Sequence, residues 1–325
     1  MSHDELVATF TGGLAPVDRV APFAGSDRLR PDGRPRPEFR AELRKIPNRA
    51  NAVLVLISLV YPFVAIGAAV RIDHPVAWVV AFFVMGAYFQ RALTLFHEAA
   101  HRLLFTNRTL NDWVGEKFIG WLAFGTGESN YRLAHSQHHR DEFGEKEPDF
   151  PLYARYPIPP DSLRRKLVRD AIGVSGWKNV KPSLVGLFKK GRRVRALRFL
   201  GAQVLVFGVF AVFGQPWLYL FLWLLPWLTY WRVANRLRAL AEHAGMTRSD
   251  DRRLTTHHIQ QGFLSKHVFL SQSIGYHLAH HVDSGVPMAN LPKLHAALEE
   301  DGYATEAITH RGYWAFWRTL SQSPG

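Results

Sequence analysis

Residues 50 to 70, "ANAVLVLISLVYPFVAIGAAV", run for 21 residues without a charge, and this stretch constrains the fold more tightly than any other. A helix rising about 1.5 Å per residue needs about 20 apolar residues to cross roughly 30 Å of hydrocarbon. Inside hydrocarbon each backbone N–H and C=O must be paired within the protein, so the stretch is expected to be a membrane-spanning helix. A second candidate, "VAWVVAFFVMGAYFQRALTLF" at 76 to 96, follows the polar break "RIDHP" and is apolar except for Gln90 and Arg91. Between 198 and 231, "RFLGAQVLVFGVFAVFGQPWLYLFLWLLPWLTYW" is long enough for two shorter spans. "GQP" at 214 to 216 is the expected turn between them, and Pro226 is placed to kink the second. The chain reads as an all-α integral membrane protein with about four transmembrane helices. The competing reading is a soluble bundle of all-round apolar core helices, and two segments of bilayer length argue against it.

The chain carries 40 Lys and Arg against 27 Asp and Glu, a formal charge of +13, and the location of that excess orients the spans. Arg28, Arg30, Arg34, Arg36, Arg40, Arg44, Lys45 and Arg49 precede the first span, and "SLRRKLVRD" and "FKKGRRVRALR" lie between the second and third. The short connectors carry Arg71 alone. By the positive-inside rule the arm, the long loop, the C-terminal third and both termini are expected on the cytoplasmic side. The expected organisation is a basic arm at 1 to 49, a membrane domain with a cytosolic histidine-rich cap at 50 to 310, and a tail at 311 to 325. No nucleic-acid-reading motif accompanies the charge, so nucleic acid is not an expected partner. The N-terminus lacks an apolar core of signal-peptide length, and a cleaved secretory signal is not expected. With no cysteines, disulfides, thiolate nucleophiles and cysteine-held clusters are excluded.

Sixteen histidines remain to be explained. "HEAAH" places His97 and His101, "HSQHH" places His135, His138 and His139, and "HLAHH" places His277, His280 and His281. Spacings of three and four put the imidazoles of each group on one helical face, where a single helix can bring several nitrogens to a metal. "HEAAH" alone is the pattern of a zinc peptidase with Glu98 as general base, but that reading needs another ligand and leaves the other two groups without a role. All three groups fall on the side assigned to the cytoplasm, as do Glu242 and His243 in "RALAEHAGM". Imidazole without thiolate suits iron, zinc or copper, and nine such nitrogens are too many for one tetrahedral zinc, so two metals are implied. Glu98, Asp141, Glu142, Asp149 and Asp283 are candidates to accept the other ring N–H of a ligand. His3, His74, His257, His258, His267, His295 and His310 lack the repeated spacing and read as surface or cap residues, with His257 and His258 as possible outer partners. Trp217, Trp223, Trp227 and Trp231 are expected to face lipid or its interface, although spans lining an apolar tunnel would use similar residues.

The boxes His97-x3-His101, His135-x2-His138-His139 and His277-x2-His280-His281, with hydrophobic spans between them, resemble the membrane fatty acid desaturase family. "FHEAAHRLLFTNRTLNDWVG" and "YHLAHHVDSGVPMANLPKLHAAL" are similar to bacterial members of acyl-lipid type beyond the histidines, and the resemblance covers roughly residues 50 to 300. It implies two iron ions held by His97, His101, His135, His138, His139, His243, His277, His280 and His281, with His243 standing where the family has an extra ligand. It also implies O2 as co-substrate and a membrane-lipid acyl chain as the group oxidised. Ala279 departs from the acidic residue that many acyl-lipid desaturases carry before the paired histidines. Relatives with these boxes also hydroxylate lipids or oxidise carotenoid rings, so desaturation, hydroxylation and ketolation all stay open. The sequence has no dinucleotide-binding glycine motif and no haem or cluster site, so electrons are expected from a separate ferredoxin or cytochrome-type donor with its reductase. A basic cytoplasmic face suits docking of such an acidic partner.

Overall fold

The computed structural model describes residues 13–125, 128–212, 215–263, 265 and 275–321. His3, His267 and Gly214 of the expected turn lie outside the described residues. The chief helices are α1 (Pro37–Leu43), α2 (Asn48–Ile72), α3 (Pro75–Ala100), α4 (Glu128–Arg140), α5 (Arg193–Val212), α6 (Tyr230–His243), α7 (His277–Val282) and α8 (Leu291–Glu300). The only sheet among the described residues is one parallel pair, β1 (His258–Ile259) with β2 (Thr309–His310), in register His258 to Thr309. The chain divides into two compact units. One, the span unit, comprises 47–132 and 165–235; the other, the histidine unit, comprises the chain up to Ile46, Leu133–Arg164 and Arg236 onward.

Among the described residues, three helical segments, Pro37–Ile72, Pro75–Ala100 and Arg193–Val212, are long and apolar enough to cross a membrane by length and composition. Their outward faces carry Leu56, Phe63, Val64, Val204 and Val212, all exposed. Water would oppose such a surface, and lipid tails would not. The fourth apolar stretch is broken into pieces instead of forming one continuous helix. A π-helical segment Tyr219–Leu224 leads into the single turn Leu225–Leu228, and Thr229 then leaves the helical region before α6 begins. Pro226 lacks the N–H that a continuous ladder would need, and Thr229 Oγ1 donates to the Leu225 carbonyl at 2.6 Å in the gap.

The tryptophans of this stretch differ from the expectation. Trp217 is exposed, but Trp223, Trp227 and Trp231 are buried. Trp223 meets Phe89 at 5.0 Å between ring centroids, Trp231 meets Phe124 at 5.2 Å, and Trp227 stacks on Trp231 at 5.6 Å. Aromatic edge and face contacts inside the unit have taken the rings that composition alone assigned to lipid.

The end of α3 is fixed by one side chain. Asn111 donates through Nδ2 to the Ala99 carbonyl at 2.9 Å, while its Oδ1 accepts from the N–H groups of Leu104 and Phe105 at 3.0 and 3.3 Å. The Ala99 carbonyl also accepts from the Arg102 N–H at 2.9 Å, so Asn111 ties the helix end to the N–H groups of the loop that follows it. Arg132 donates to the Ala100 and Ala99 carbonyls at 3.1 and 3.2 Å, and Gly115 packs so close to Ala99 that a Cβ on it would stand 1.9 Å from the Ala99 Cβ.

In the histidine unit the N-terminal arm is tied down by its own arginines. Arg28 pairs with Glu300 and Asp301 at the end of α8, and Arg40 with Asp283. Asn290 donates to the Leu43 and Lys45 carbonyls at 2.7 and 3.0 Å. Leu29 and Leu43 are buried beneath these contacts.

Asn111→Ala is expected to leave the buried Leu104 and Phe105 N–H groups short of a partner and to destabilise the span unit by about 2 to 4 kcal/mol. A thermal-unfolding midpoint equal to wild type in the same detergent would contradict this.

Candidate metal centre

Three chain segments bring seven of the nine predicted ligands into the histidine unit. The last turns of α4 carry His135, His138 and His139, α6 ends on His243, and α7 carries His277, His280 and His281. The i, i+3, i+4 spacing places each group on one face of its helix, as expected. Apart from His139, which is partly exposed, these side chains are buried.

His138, His243, His277 and His281 offer four nitrogens that all lie within 4.8 Å of one another. His243 Nε2 and His277 Nε2 face each other at 3.1 Å. His135, His139 and His280 converge separately: His139 Nε2 is 3.1 Å from His135 Nε2 and 3.0 Å from His280 Nε2.

The opposite nitrogens are braced. His138 Nδ1 meets Glu147 Oε1 at 2.9 Å, His243 Nδ1 meets the Thr255 carbonyl at 2.8 Å, and His281 Nδ1 meets Glu142. His277 Nδ1 faces Glu242 Oε1 at 3.4 Å. Glu142 and Glu242 are held in turn by Arg252 and Arg238. An acceptor at Nδ1 fixes the proton there and turns the Nε2 lone pair inward, the tautomer a metal requires.

This donor set fits a metal. His281 Nε2 is buried with no hydrogen-bond partner among the described residues. Nitrogens on one ion at about 2.0 to 2.1 Å stand roughly 3.0 to 3.4 Å apart, matching the spacing of the converging Nε2 atoms. Burial pushes His243 down to about 3, and His277 and His281 well below the ordinary histidine value. Those three are neutral at pH 7, with lone pairs available. Burial also pulls on His138, but the Glu147 carboxylate outweighs it and the net shift is upward.

His97 and His101 belong to the span unit, on the last turn of α3 and its C-cap, with ring centroids 4.8 Å apart. Glu98 is buried beside them.

Of the carboxylates expected to orient ligands, Glu142 does so. Asp283 instead pairs with Arg40 and accepts from the Gly285 N–H, while Asp141 accepts from the Lys146 N–H. Asp149 lies within reach of His138 and Glu147. Sequence reasoning missed Glu147 and the Thr255 carbonyl, for neither keeps helical spacing with its histidine. The one available signal for Glu147 was the acidic run "DEFGEKEPD" directly after the second box.

Among the described residues, four of the other histidines have structural roles. His257 contacts the Ala244 carbonyl at 2.7 Å and bridges back to the end of α6, and His74 accepts from the Val76 N–H at the start of α3. His258 meets Glu299 at 3.0 Å and stacks on His295 with rings 4.4 Å apart and only 23° from parallel. Lone pairs lie in the ring planes, and planes stacked this way do not intersect at one ion.

Helices of membrane-crossing length and sets of converging, carboxylate-braced imidazoles together define a membrane-associated, histidine-rich metal-binding protein. The chain belongs to the fatty acid desaturase family: the family model described as fatty acid desaturase matches residues 73–314. It is also similar to a dihydrorhizobitoxine desaturase from Bradyrhizobium elkanii, with 25% identity over 299 residues, covering 85% of this chain and 84% of the relative. Both likenesses support an oxidoreductase, and the family match includes the "HEAAH" segment.

Glu147→Ala removes the acceptor that orients His138 and is expected to weaken metal binding by about 10- to 100-fold. Metal per chain after dialysis against a graded chelator series measures this, and a profile superimposable on wild type would exclude the brace.

Proposed function

We propose that this chain is an O2-dependent di-iron desaturase of the membrane, and that it introduces a double bond into the acyl chain of a lipid. The observation that carries the reading is the Nδ1 bracing of His138, His243 and His281, which prepares Nε2 lone pairs for metal inside a chain of this family. The two irons are assigned to His97, His101, His135, His138, His139, His243, His277, His280 and His281. When bound, such a pair supplies with O2 the oxidising power to take hydrogen from unactivated C–H bonds, which no side chain does as an acid or base.

The protein's own part is positional. Glu142, Glu147 and the Thr255 carbonyl keep Nδ1 protonated and each ring turned inward, and Arg252 and Arg238 keep Glu142 and Glu242 in place. The reaction balances as one –CH2–CH2– unit, O2, two electrons and two protons giving –CH=CH– and two waters. The electrons are assigned to a separate ferredoxin or cytochrome-type protein with its reductase, attracted by the basic segments 28–49 and 164–198. We assign this chain four crossings from the apolar stretches, a cytosolic cap and cytoplasmic termini from the charge distribution, and a bacterial inner membrane from the resemblance to bacterial members of the family.

The alternative is a hydroxylase or carotenoid-type ketolase on the same ligands, kept open by Ala279. The similar protein from Bradyrhizobium elkanii bears a name that gives dihydrorhizobitoxine as what it desaturates, which favours testing small amphiphiles beside lipids.

Purified protein is expected to carry two irons per chain, and a host expressing it to accumulate a product two hydrogens lighter than its precursor, absent with His138→Ala. A product heavier by oxygen would select the hydroxylase. Zinc near one per chain without iron, or identical metabolite and lipid profiles for two equally accumulated proteins, would overturn the reading.

A further inference from the structure

Buried hydrogen-bonding groups are nearly always partnered, so a local concentration of exceptions calls for a ligand or a solvent explanation. In the span unit, the buried side-chain atoms without a partner among the described residues are Gln90 Nε2 and Oε1, Arg91 Nη1, Trp227 Nε1, Trp231 Nε1, and Arg232 Nε and Nη2. Four of these seven, Trp227 Nε1, Trp231 Nε1 and Arg232 Nε and Nη2, belong to residues in contact with one another, and all four are donors. A trapped water donates as many hydrogen bonds as it accepts and relieves such a surplus poorly. A carboxylate has about four acceptor sites and no donor.

Arg232 is the centre of these four. Its guanidinium carbon lies 4.0 Å from the Trp227 ring and 4.3 Å from the Trp231 ring, so the cation rests against two indoles. Nε and Nη2 form one edge of the guanidinium, the pair of parallel donors that grips a carboxylate side-on. A snorkelling arginine would send those nitrogens to water. Here the residue is part-exposed, yet both nitrogens are shut off from solvent.

Asp170 is a buried carboxylate whose charge acts on Arg232, but it does not occupy that edge. Phe89 packs against Trp223 and Trp231 at 5.0 and 6.1 Å, giving the surroundings apolar walls. Gln90 follows Phe89 on α3, one turn beyond Gly86, which packs on Tyr230. An ionisable group at the end of an apolar stretch, with its donors covered and unmatched, has the character of a binding site.

We propose that the Nε and Nη2 edge of Arg232, on its platform of Trp227 and Trp231, receives a carboxylate of the substrate. This deepens the desaturase reading and rests on it: the compound oxidised is a free acid with an apolar body, in place of an ester-linked lipid. The sequence could not suggest this, because it made Trp227 and Trp231 lipid-facing and gave Arg232 no role.

The test is a titration of the iron-loaded protein in detergent, followed by tryptophan fluorescence, with dodecanoate and with methyl dodecanoate as probes. Wild type is expected to bind the acid about 10- to 100-fold more tightly than the ester, the range for a charge-assisted pair. Arg232→Gln is expected to abolish the difference without changing iron per chain, and Arg232→Lys to restore part of it, since ammonium keeps the charge but loses the fork. Equal affinity of wild type for acid and ester would overturn the proposal, as it would mean that water or Asp170 satisfies the edge. So would an acid preference that survives in Arg232→Gln. If that variant does not accumulate, the wild-type comparison decides alone. Because binding is read without turnover, failure here leaves the oxidation chemistry untouched, and loss of that chemistry leaves an acid preference intact.

Discussion

A buried imidazole has two nitrogens to satisfy, and the histidine unit is arranged around how each does so. In water both are solvated; inside the unit one must find an acceptor and the other a lone-pair acceptor of its own. Glu147, Glu142 and the Thr255 carbonyl take the first nitrogen of His138, His281 and His243. The second nitrogens are then left facing one another, an arrangement of converging lone pairs that is unfavourable until a cation lies among them. The surrounding arginines follow from the same requirement, because carboxylates as buried as Glu142 and Glu242 would otherwise sit without a counter-charge.

The span unit is ordered by a different need, that of its backbone. Where α3 stops, the carbonyl of Ala99 and the following N–H groups pass to Asn111, so the helix that bears His97 and His101 ends at a defined residue. Where the fourth apolar stretch meets Pro226, the ladder is interrupted and π-helical and single-turn pieces take over. That interruption brings Trp223, Trp227 and Trp231 inward, since a broken helix turns successive rings in directions that a straight one would not.

What was legible in the sequence was whatever is periodic or continuous. The charge-free run from Ala50 required a long helix, and the repeated spacing of three and four gave the faces on which His135, His138, His139, His277, His280 and His281 stand. His243 has no repeat; its place after the last apolar stretch made it a candidate, and the family resemblance gave it a ligand's position. The braces were not legible because they act through space: Glu142 and His281 meet across 139 residues of chain, with nothing in either neighbourhood to announce the other. Asp283, adjacent to the third box, was a natural candidate, but Arg40 of the N-terminal arm claims it. Composition also misled for the tryptophans, since an aromatic side chain of the right polarity for a bilayer edge is equally suited to a packed interior.

The histidine unit is assembled from three stretches of chain that are far apart in sequence, and this bears on biosynthesis. His139 and His280, whose nitrogens come within 3.0 Å, are separated by 141 positions, and the chain between them contains α5 and the broken apolar stretch. Domains ordinarily fold as the ribosome delivers them, at roughly 5 to 20 residues per second. Here the second histidine box is made well before the third and waits for several seconds or more while α5 and the broken apolar stretch are synthesised. The converging set of imidazoles therefore cannot form until the third box has been made, 141 positions after His139.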